Sequence, residues 1–181
     1  IGEGGMAAVF LAHQPSLKRD VAIKVMAPGL LTTAGMIERF LAEAQTIAQF
    51  RCQNIVQIFE VERAGGDLYY FVMEYIHGSS LDRVLRANGP LPLDLVRVML
   101  QEAGQGLAYA HRRGVIHRDV KPSNIMLDAE GLSILTDFGI AKQSQADGVT
   151  QSGARVGTPA YMSPEQCNSS PLTWASDQYS L

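Results

Sequence analysis

Apolar residues fall in steps of three and four over residues 36–50, where Ile37, Phe40, Leu41, Ala44, Ile47 and Ala48 share one face. That spacing predicts an amphipathic helix with one side against a core. Upstream, Val21-Ala22-Ile23-Lys24-Val25 is a short apolar run broken by a lysine. Taken alone it reads as an edge strand whose lysine faces water and discourages further pairing. Downstream, residues 55–62 alternate loosely, Ala64-Gly65-Gly66-Asp67 signals a turn, and residues 68–73 form a second apolar run. Together these predict a β-hairpin. Helical period then returns. Ser79 and Asp82 fit a capping box, with Ser79 as N-cap of a short helix ending near Gly89-Pro90. Residues 93–113 place Leu95, Val98, Met99, Ala103, Gly106, Leu107 and Ala110 on one face. This predicts a longer buried helix with Arg112 and Arg113 favourably near its C-terminus. A second hairpin is expected where 125–127 and 133–136 flank Asp128-Ala129-Glu130-Gly131, and the polar, aperiodic residues 140–156 read as a mobile loop. The class is α+β, a small β-rich first third followed by a mainly helical remainder.

Composition narrows the setting without changing that picture. The 181 residues are 46% hydrophobic and 18% charged with a formal net charge of −3, enough apolar content to bury a core. No apolar run approaches the ~20 residues of a membrane helix, and no signal peptide opens the chain. Cys52 and Cys167 are far apart and form neither a metal pattern nor a disulfide framework, which fits a reducing, cytoplasmic setting. Without a basic run, nucleic acid is not an expected partner.

The chemistry concentrates in one segment, His117-Arg118-Asp119-Val120-Lys121-Pro122-Ser123-Asn124. Pro122 argues for a shaped loop rather than a continuing helix. A carboxylate can take a proton from an alcohol, an ammonium can hold a phosphate and an amide oxygen can hold Mg²⁺; phosphoryl transfer needs all three together. Other elements are weak singly. Gly2, Gly4 and Gly5 would let backbone N–H groups approach phosphates, but glycine pairs also make plain turns. Glu43 sits at the border of the first helix face, where most glutamates are solvated, and Asp137-Phe138-Gly139 alone is a common turn tripeptide.

In order along one chain these segments resemble the eukaryotic-type serine/threonine protein kinases. Ile1–Leu11 is similar to the glycine-rich loop, with Ala7 at the third glycine; Val21–Val25 to the V-A-I-K strand; residues 117–124 to the catalytic loop; Asp137-Phe138-Gly139 to the metal-binding motif. Gly157-Thr158-Pro159 and Ser163-Pro164-Glu165 look like the end of the activation segment, and residues 174–181 like the start of the αF helix. The Gly5-Met6-Ala7 opening and Ser163-Pro164-Glu165-Gln166 look most like bacterial members, whose kinase domain often sits on the cytoplasmic side of a membrane-anchored receptor.

The resemblance implies a two-lobed protein-kinase-like fold, with an N-terminal lobe and hinge over 1–76 and a C-terminal lobe over 77–181, truncated at the start of αF. It implies that Asp119 accepts the hydroxyl proton, Lys121 stabilises the γ-phosphoryl group, and Glu43 holds Lys24 on the other phosphates. Nucleotide contacts are expected from Gly2, Glu3, Gly4, Gly5, Val9, Ala22, Lys24, the gatekeeper Met73, the hinge residues Glu74 and Ile76, and Met126. Asn124 and Asp137 would bind Mg²⁺, with Mn²⁺ as an alternative, beside ATP. Asp177 would bond backbone of the His117-Arg118 turn. Thr150 and Ser152 are candidate activation-segment phosphosites, with Arg118, Arg39 and Lys142 as phosphate-binding cations, and Thr158 resembles the threonine that bonds toward the catalytic aspartate and lysine. Expected partners are protein substrates with Ser/Thr acceptors, including self-phosphorylation in trans. Lys121 and Thr158 argue against tyrosine specificity, and Ser80 and Ser123 against a strong preference for upstream basic residues. A pseudokinase would usually have lost Lys24, Asp119 or Asp137, and a small-molecule phosphotransferase would not be expected to carry the 157–165 motifs. Glu165 normally pairs with an arginine in later helices; it is expected to be unpaired here and to destabilise the helical lobe.

Overall fold

The computed structural model describes residues 2–4, 7–26, 34–65, 68–139 and 159–181. Gly5, Lys142, Thr150, Ser152, Gly157 and Thr158, the expected loop over 140–156, and the side chains of Glu3, Arg39 and Phe40 lie outside the described residues. The chain divides into two units, residues 1–51 with 56–75, and residues 52–55 with 76–181.

In the first unit the apolar runs pair as an antiparallel sheet of β1 (Gly2–Gly4), β2 (Ala7–Gln14), β3 (Arg19–Met26), β4 (Ile58–Ala64) and β5 (Leu68–Glu74), in the order β1-β2-β3-β5-β4. The expected 55–73 hairpin is present as β4 and β5. The edge-strand reading of β3 is corrected: β3 lies inside the sheet, with Lys24 opposite Val9 on β2 and Phe71 on β5. Apolar neighbours on both sides recruit the strand, so its one lysine is not there to block pairing. Helix α1 (Ala34–Ala48) buries Ala44 and Ile47, at 0% and 1% exposure. Val21, Ala22, Phe71, Val72 and Met73 are the buried members of the sheet around β3. A fully buried side chain of this size stabilises by roughly 1.5–3 kcal/mol.

In the second unit a three-stranded sheet runs β6 (Gly78–Ser80), β7 (Ile125–Asp128), β8 (Ser133–Leu135), all antiparallel. β6 was not expected from the sequence. It draws Ser79 into pairing with Leu127, so the predicted cap moves one residue. Ser80 is the N-cap of α2 (Leu81–Asn88) and makes no side-chain cap bond; its hydroxyl instead donates to Asp82, whose other oxygen takes Arg86. Helix α3 spans Leu93–His111, shorter than predicted, and Arg112 is its C-cap. Met99, Ala103, Gly106, Leu107 and Ala110 are buried, but Leu95 and Val98 stay 41% and 47% exposed, so the apolar face is narrower than its pattern. Gly106 permits a close approach: a Cβ there would lie 2.8 Å from both the Asn54 carbonyl oxygen and Leu135 Cδ1. Residues 52–55 are stitched to this unit through Leu135 N–H to Asn54 carbonyl and Asn54 Nδ2 to Ser133 carbonyl. Helices α4 (Pro164–Cys167) and α5 (Trp174–Ser180) follow, each opened by a capping box.

Candidate active site

The segment after α3 has no regular element until a single 3₁₀ turn at Pro122–Asn124, entered by an extended Lys121 as a residue before proline prefers. Its shape comes from outside the loop. Asp177, on α5 and 1% exposed, accepts from the backbone N–H of His117 at 2.7 Å with one oxygen and of Arg118 at 2.8 Å with the other. His111 Nε2 donates to Asp177 as well, at 2.7 Å. Together these bonds offset the desolvation of a carboxylate that would otherwise be costly to bury. They also hold Arg118 at φ 65, a left-handed conformation that a side chain disfavours by about 1–3 kcal/mol.

His117 is fully buried, and its two ring nitrogens have different jobs. Nε2 donates to the Thr136 carbonyl at 3.0 Å and Nδ1 accepts from the Asp119 N–H at 3.3 Å, which specifies the neutral Nε2–H tautomer. Burial pushes its pKa below 6.5, outweighing the attraction of Asp177, the bond to Thr136, and the charges of Asp119 and Asp137. Its ring packs 4.4 Å from Phe138, and its carbonyl accepts from Gly139 N–H at 2.7 Å, tying the loop to the 137–139 segment.

On this frame stand Asp119, Lys121 and Asn124. Lys121 Nζ lies 3.0 Å from Asp119 Oδ2, with the two side chains only 19% and 17% exposed. Asn124 Nδ2 donates to the Asp119 carbonyl at 2.7 Å and to Oδ2 at 3.0 Å. One carboxylate oxygen thus collects both an ammonium and an amide, and the amide's orientation is fixed with Oδ1 turned away from Asp119. The Asn124 carbonyl accepts from Thr136 N–H at 2.9 Å, which brings the residue before Asp137 against the loop. Asp137 itself is half-buried at φ 56. Asn124 Oδ1 and the Asp137 carboxylate are hard oxygen donors. Among the described residues no cluster of three or more His, Cys, Asp or Glu could hold a metal. Hard oxygen donors of this kind are the type a small divalent cation takes while keeping several waters.

In the first unit, Lys24 and Glu43 are half-buried on β3 and α1, Val9 is half-buried on β2, and Ala22 and Met73 are buried opposite one another on β3 and β5. Glu74 closes β5, and its N–H reaches the Gln57 carbonyl. Met126 is half-buried in β7, between Ser80 and Ile134. Ile76 lies just past β5, at the start of the second unit.

Glu165 does not conform to the sequence expectation. Its carboxylate accepts from the Ser176 hydroxyl at 2.5 Å, and that bond first, then its own backbone N–H, holds its pKa below the usual carboxylate value. The capping box at Thr173–Ser176 sets the first turn of α5 so that Ser176 meets Glu165. The sequence assigns no site role to His111, which bonds Asp177, or to Gln166, whose amide donates to the Arg118 carbonyl at 2.8 Å. A histidine in a last helical turn and a glutamine two residues after a proline carry no signal of such distant contacts.

A family model described as the protein kinase domain matches residues 1–181. The serine/threonine-protein kinase PknA of Corynebacterium glutamicum is 40% identical over 185 residues, covering 100% of this chain and 39% of that protein. PrkC of Bacillus subtilis, also a serine/threonine-protein kinase, is 39% identical over 182 residues, covering 100% of this chain and 28% of that protein. The chain therefore spans less than half the length of these relatives. The crystal structure of the Mycobacterium tuberculosis PknI kinase domain is similar with a TM-score of 0.78 at 26% identity, covering 99% of this chain and 66% of that one. The fold is that of the protein kinases, an antiparallel sheet with one helix and a mainly helical part. With bacterial serine/threonine kinases as its relatives, the chain belongs to the protein kinase domain family.

Proposed function

We propose that this chain transfers the γ-phosphoryl group of ATP to serine or threonine hydroxyls of protein substrates. The observation that carries the reading is the Asp119–Lys121–Asn124 arrangement, in which one loop presents a proton acceptor, a cation and an oriented amide oxygen. The substrate hydroxyl oxygen bonds to the γ-phosphorus as the bond to the β,γ-bridging oxygen breaks, and the hydroxyl proton passes to Asp119. Lys121, beside Asp119, orients the carboxylate and meets charge developing on the transferred group. Lys24, with Glu43 as its partner, is the proposed ligand of the remaining phosphates, and Gly2, Gly4 and Gly5 are further proposed phosphate contacts. Val9, Ala22, Met73 and Met126 are the proposed adenine contacts, with backbone of Glu74 and Ile76 as its proposed hydrogen-bond partners. Asn124 Oδ1 and Asp137 would hold Mg²⁺, or Mn²⁺ in its place. When bound, the metal neutralises phosphate charge and orients the leaving group. No covalent enzyme intermediate is needed; positioning and electrostatics carry the rate.

Thr158 supports serine/threonine over tyrosine acceptors, and Thr150 and Ser152 are the proposed sites of phosphorylation by a second copy in trans. The test is Asp119→Ala in the full-length protein with a generic protein substrate and radiolabelled ATP. The expected result is a fall in kcat of about 10²–10⁴ with ATP affinity nearly unchanged. A variant that phosphorylates at close to the wild-type rate would sink the assignment.

A further inference from the structure

Gln166 is held at both ends of its amide by groups far apart in the chain. Its Oε1 accepts from the N–H of Ser163 at 3.0 Å, closing the capping box of α4. Its Nε2 donates to the Arg118 carbonyl at 2.8 Å. A capping-box glutamine bonds the N-cap N–H through its amide oxygen, which leaves the two donors of its amide nitrogen for other partners. Here the second half of the amide is spent on the peptide bond that leads into Asp119.

That peptide is held on both faces. Its oxygen receives Gln166, and its N–H, belonging to Asp119, donates to His117 Nδ1 at 3.3 Å. The residue before it, Arg118, sits at φ 65 with its own N–H on the buried Asp177. Rotation of the 118–119 peptide would swing the Asp119 carboxylate away from Lys121 and Asn124. The N–H of Asp119 meets a neutral imidazole at a long distance, so the shorter bond to the carbonyl is the stronger restraint. Ser163, the other anchor of the amide, is fully buried and fixes where Gln166 stands.

We propose that Gln166 is a positioning residue for Asp119: its amide clamps the Arg118–Asp119 peptide and so sets the direction of the carboxylate that takes the hydroxyl proton. This rests on the phosphoryl-transfer reading above. It makes the cap of α4 part of the restraint on the proton acceptor, so a disturbance of the 163–166 turn reaches the catalytic loop through one side chain. Gln166→Glu separates the two halves of the role. It keeps an oxygen for the Ser163 N–H and replaces the donor facing Arg118 with an oxygen that repels the carbonyl.

The experiment measures full-length wild-type and Gln166→Glu proteins by steady-state kinetics, thermal melting and amide hydrogen exchange resolved at residues 117–121. The expected result is a kcat lowered about tenfold with KM for ATP within about twofold, a retained thermal midpoint, and Asp119 exchange faster by a comparable factor. Unchanged exchange at Asp119 overturns the clamp, and so does faster exchange with an unchanged kcat. Should the added charge unfold the protein, Gln166→Ala removes both contacts without it and is judged by the same criteria. A wild-type protein that phosphorylates no protein substrate overturns the functional reading instead, while the exchange rates still judge the clamp.

Discussion

His117 shows how a single buried residue links the loop's geometry to pH. With Nε2 donating to Thr136 and Nδ1 accepting from Asp119, a proton on Nδ1 would remove an acceptor and place a charge where no water can reach it. The folded-state pKa is depressed below 6.5. The unfolded chain therefore binds more protons than the folded one below that value, and stability falls as pH falls through it. As the pH falls through 6.5 the unfolding free energy should decline, by at most ~1.4 kcal/mol per pH unit from this residue. His117→Gln should remove that portion of the slope in urea titrations run through the same pH. Parallel slopes for the two proteins would show that His117 carries no such linkage. At this scale, legibility followed chain distance. Asp119, Lys121 and Asn124 share one short loop, so their residue types alone suggested joint chemistry. Gln166 acts on the same loop directly and His111 through Asp177, and only the fold brings them there.

At the scale of elements, hydrophobic period located helices and strands well but misjudged how much of each is covered. Periodicity marked Leu95 and Val98 as part of the buried face of α3, yet both are largely exposed, because an apolar stripe is buried only as far as a neighbour reaches. It missed β6, since three residues of Gly-Ser-Ser carry no apolar alternation and pair only because β7 offers an edge. Within α3, two glycines give opposite forecasts. A Cβ on Gly104 would meet nothing within 4 Å, so Gly104→Ala should gain about 0.5–1 kcal/mol from helix propensity and a less flexible unfolded chain. A Cβ on Gly106 would press on the Asn54 carbonyl at 2.8 Å, a backbone atom that cannot rotate away. Gly106→Ala should therefore cost about 1–3 kcal/mol, as overpacking does. Thermal melts of the two variants should shift in opposite directions; a shared direction would mean that α3 is not seated against residues 52–55 and β8 as described.

At the scale of the whole molecule, stability and function meet in ligand linkage. Each unit has its own core, Ala44, Ile47 and Phe71 in one and Ala103, Leu107 and Leu135 in the other. The proposed phosphate ligand Lys24 belongs to the first, while Asn124 and Asp137 belong to the second. Glu165, expected to be orphaned, accepts a hydrogen bond from the Ser176 hydroxyl. A ligand that binds only the folded protein at about a hundred times its Kd stabilises by ~2.7 kcal/mol. A non-hydrolysable ATP analogue with Mg²⁺ should raise the thermal midpoint by that mechanism, and the analogue without a divalent cation should raise it less. If Lys24 and Asn124 have the roles proposed for them, Lys24→Met and Asn124→Ala should each reduce the shift. Asn124→Ala should also narrow the gap between measurements with and without Mg²⁺, because Asn124 is assigned to the metal; Lys24→Met should leave that gap in place. A shift that survives either substitution at full size would remove that residue from the proposed site while leaving Asp119 and Lys121 to be judged by their own kinetics.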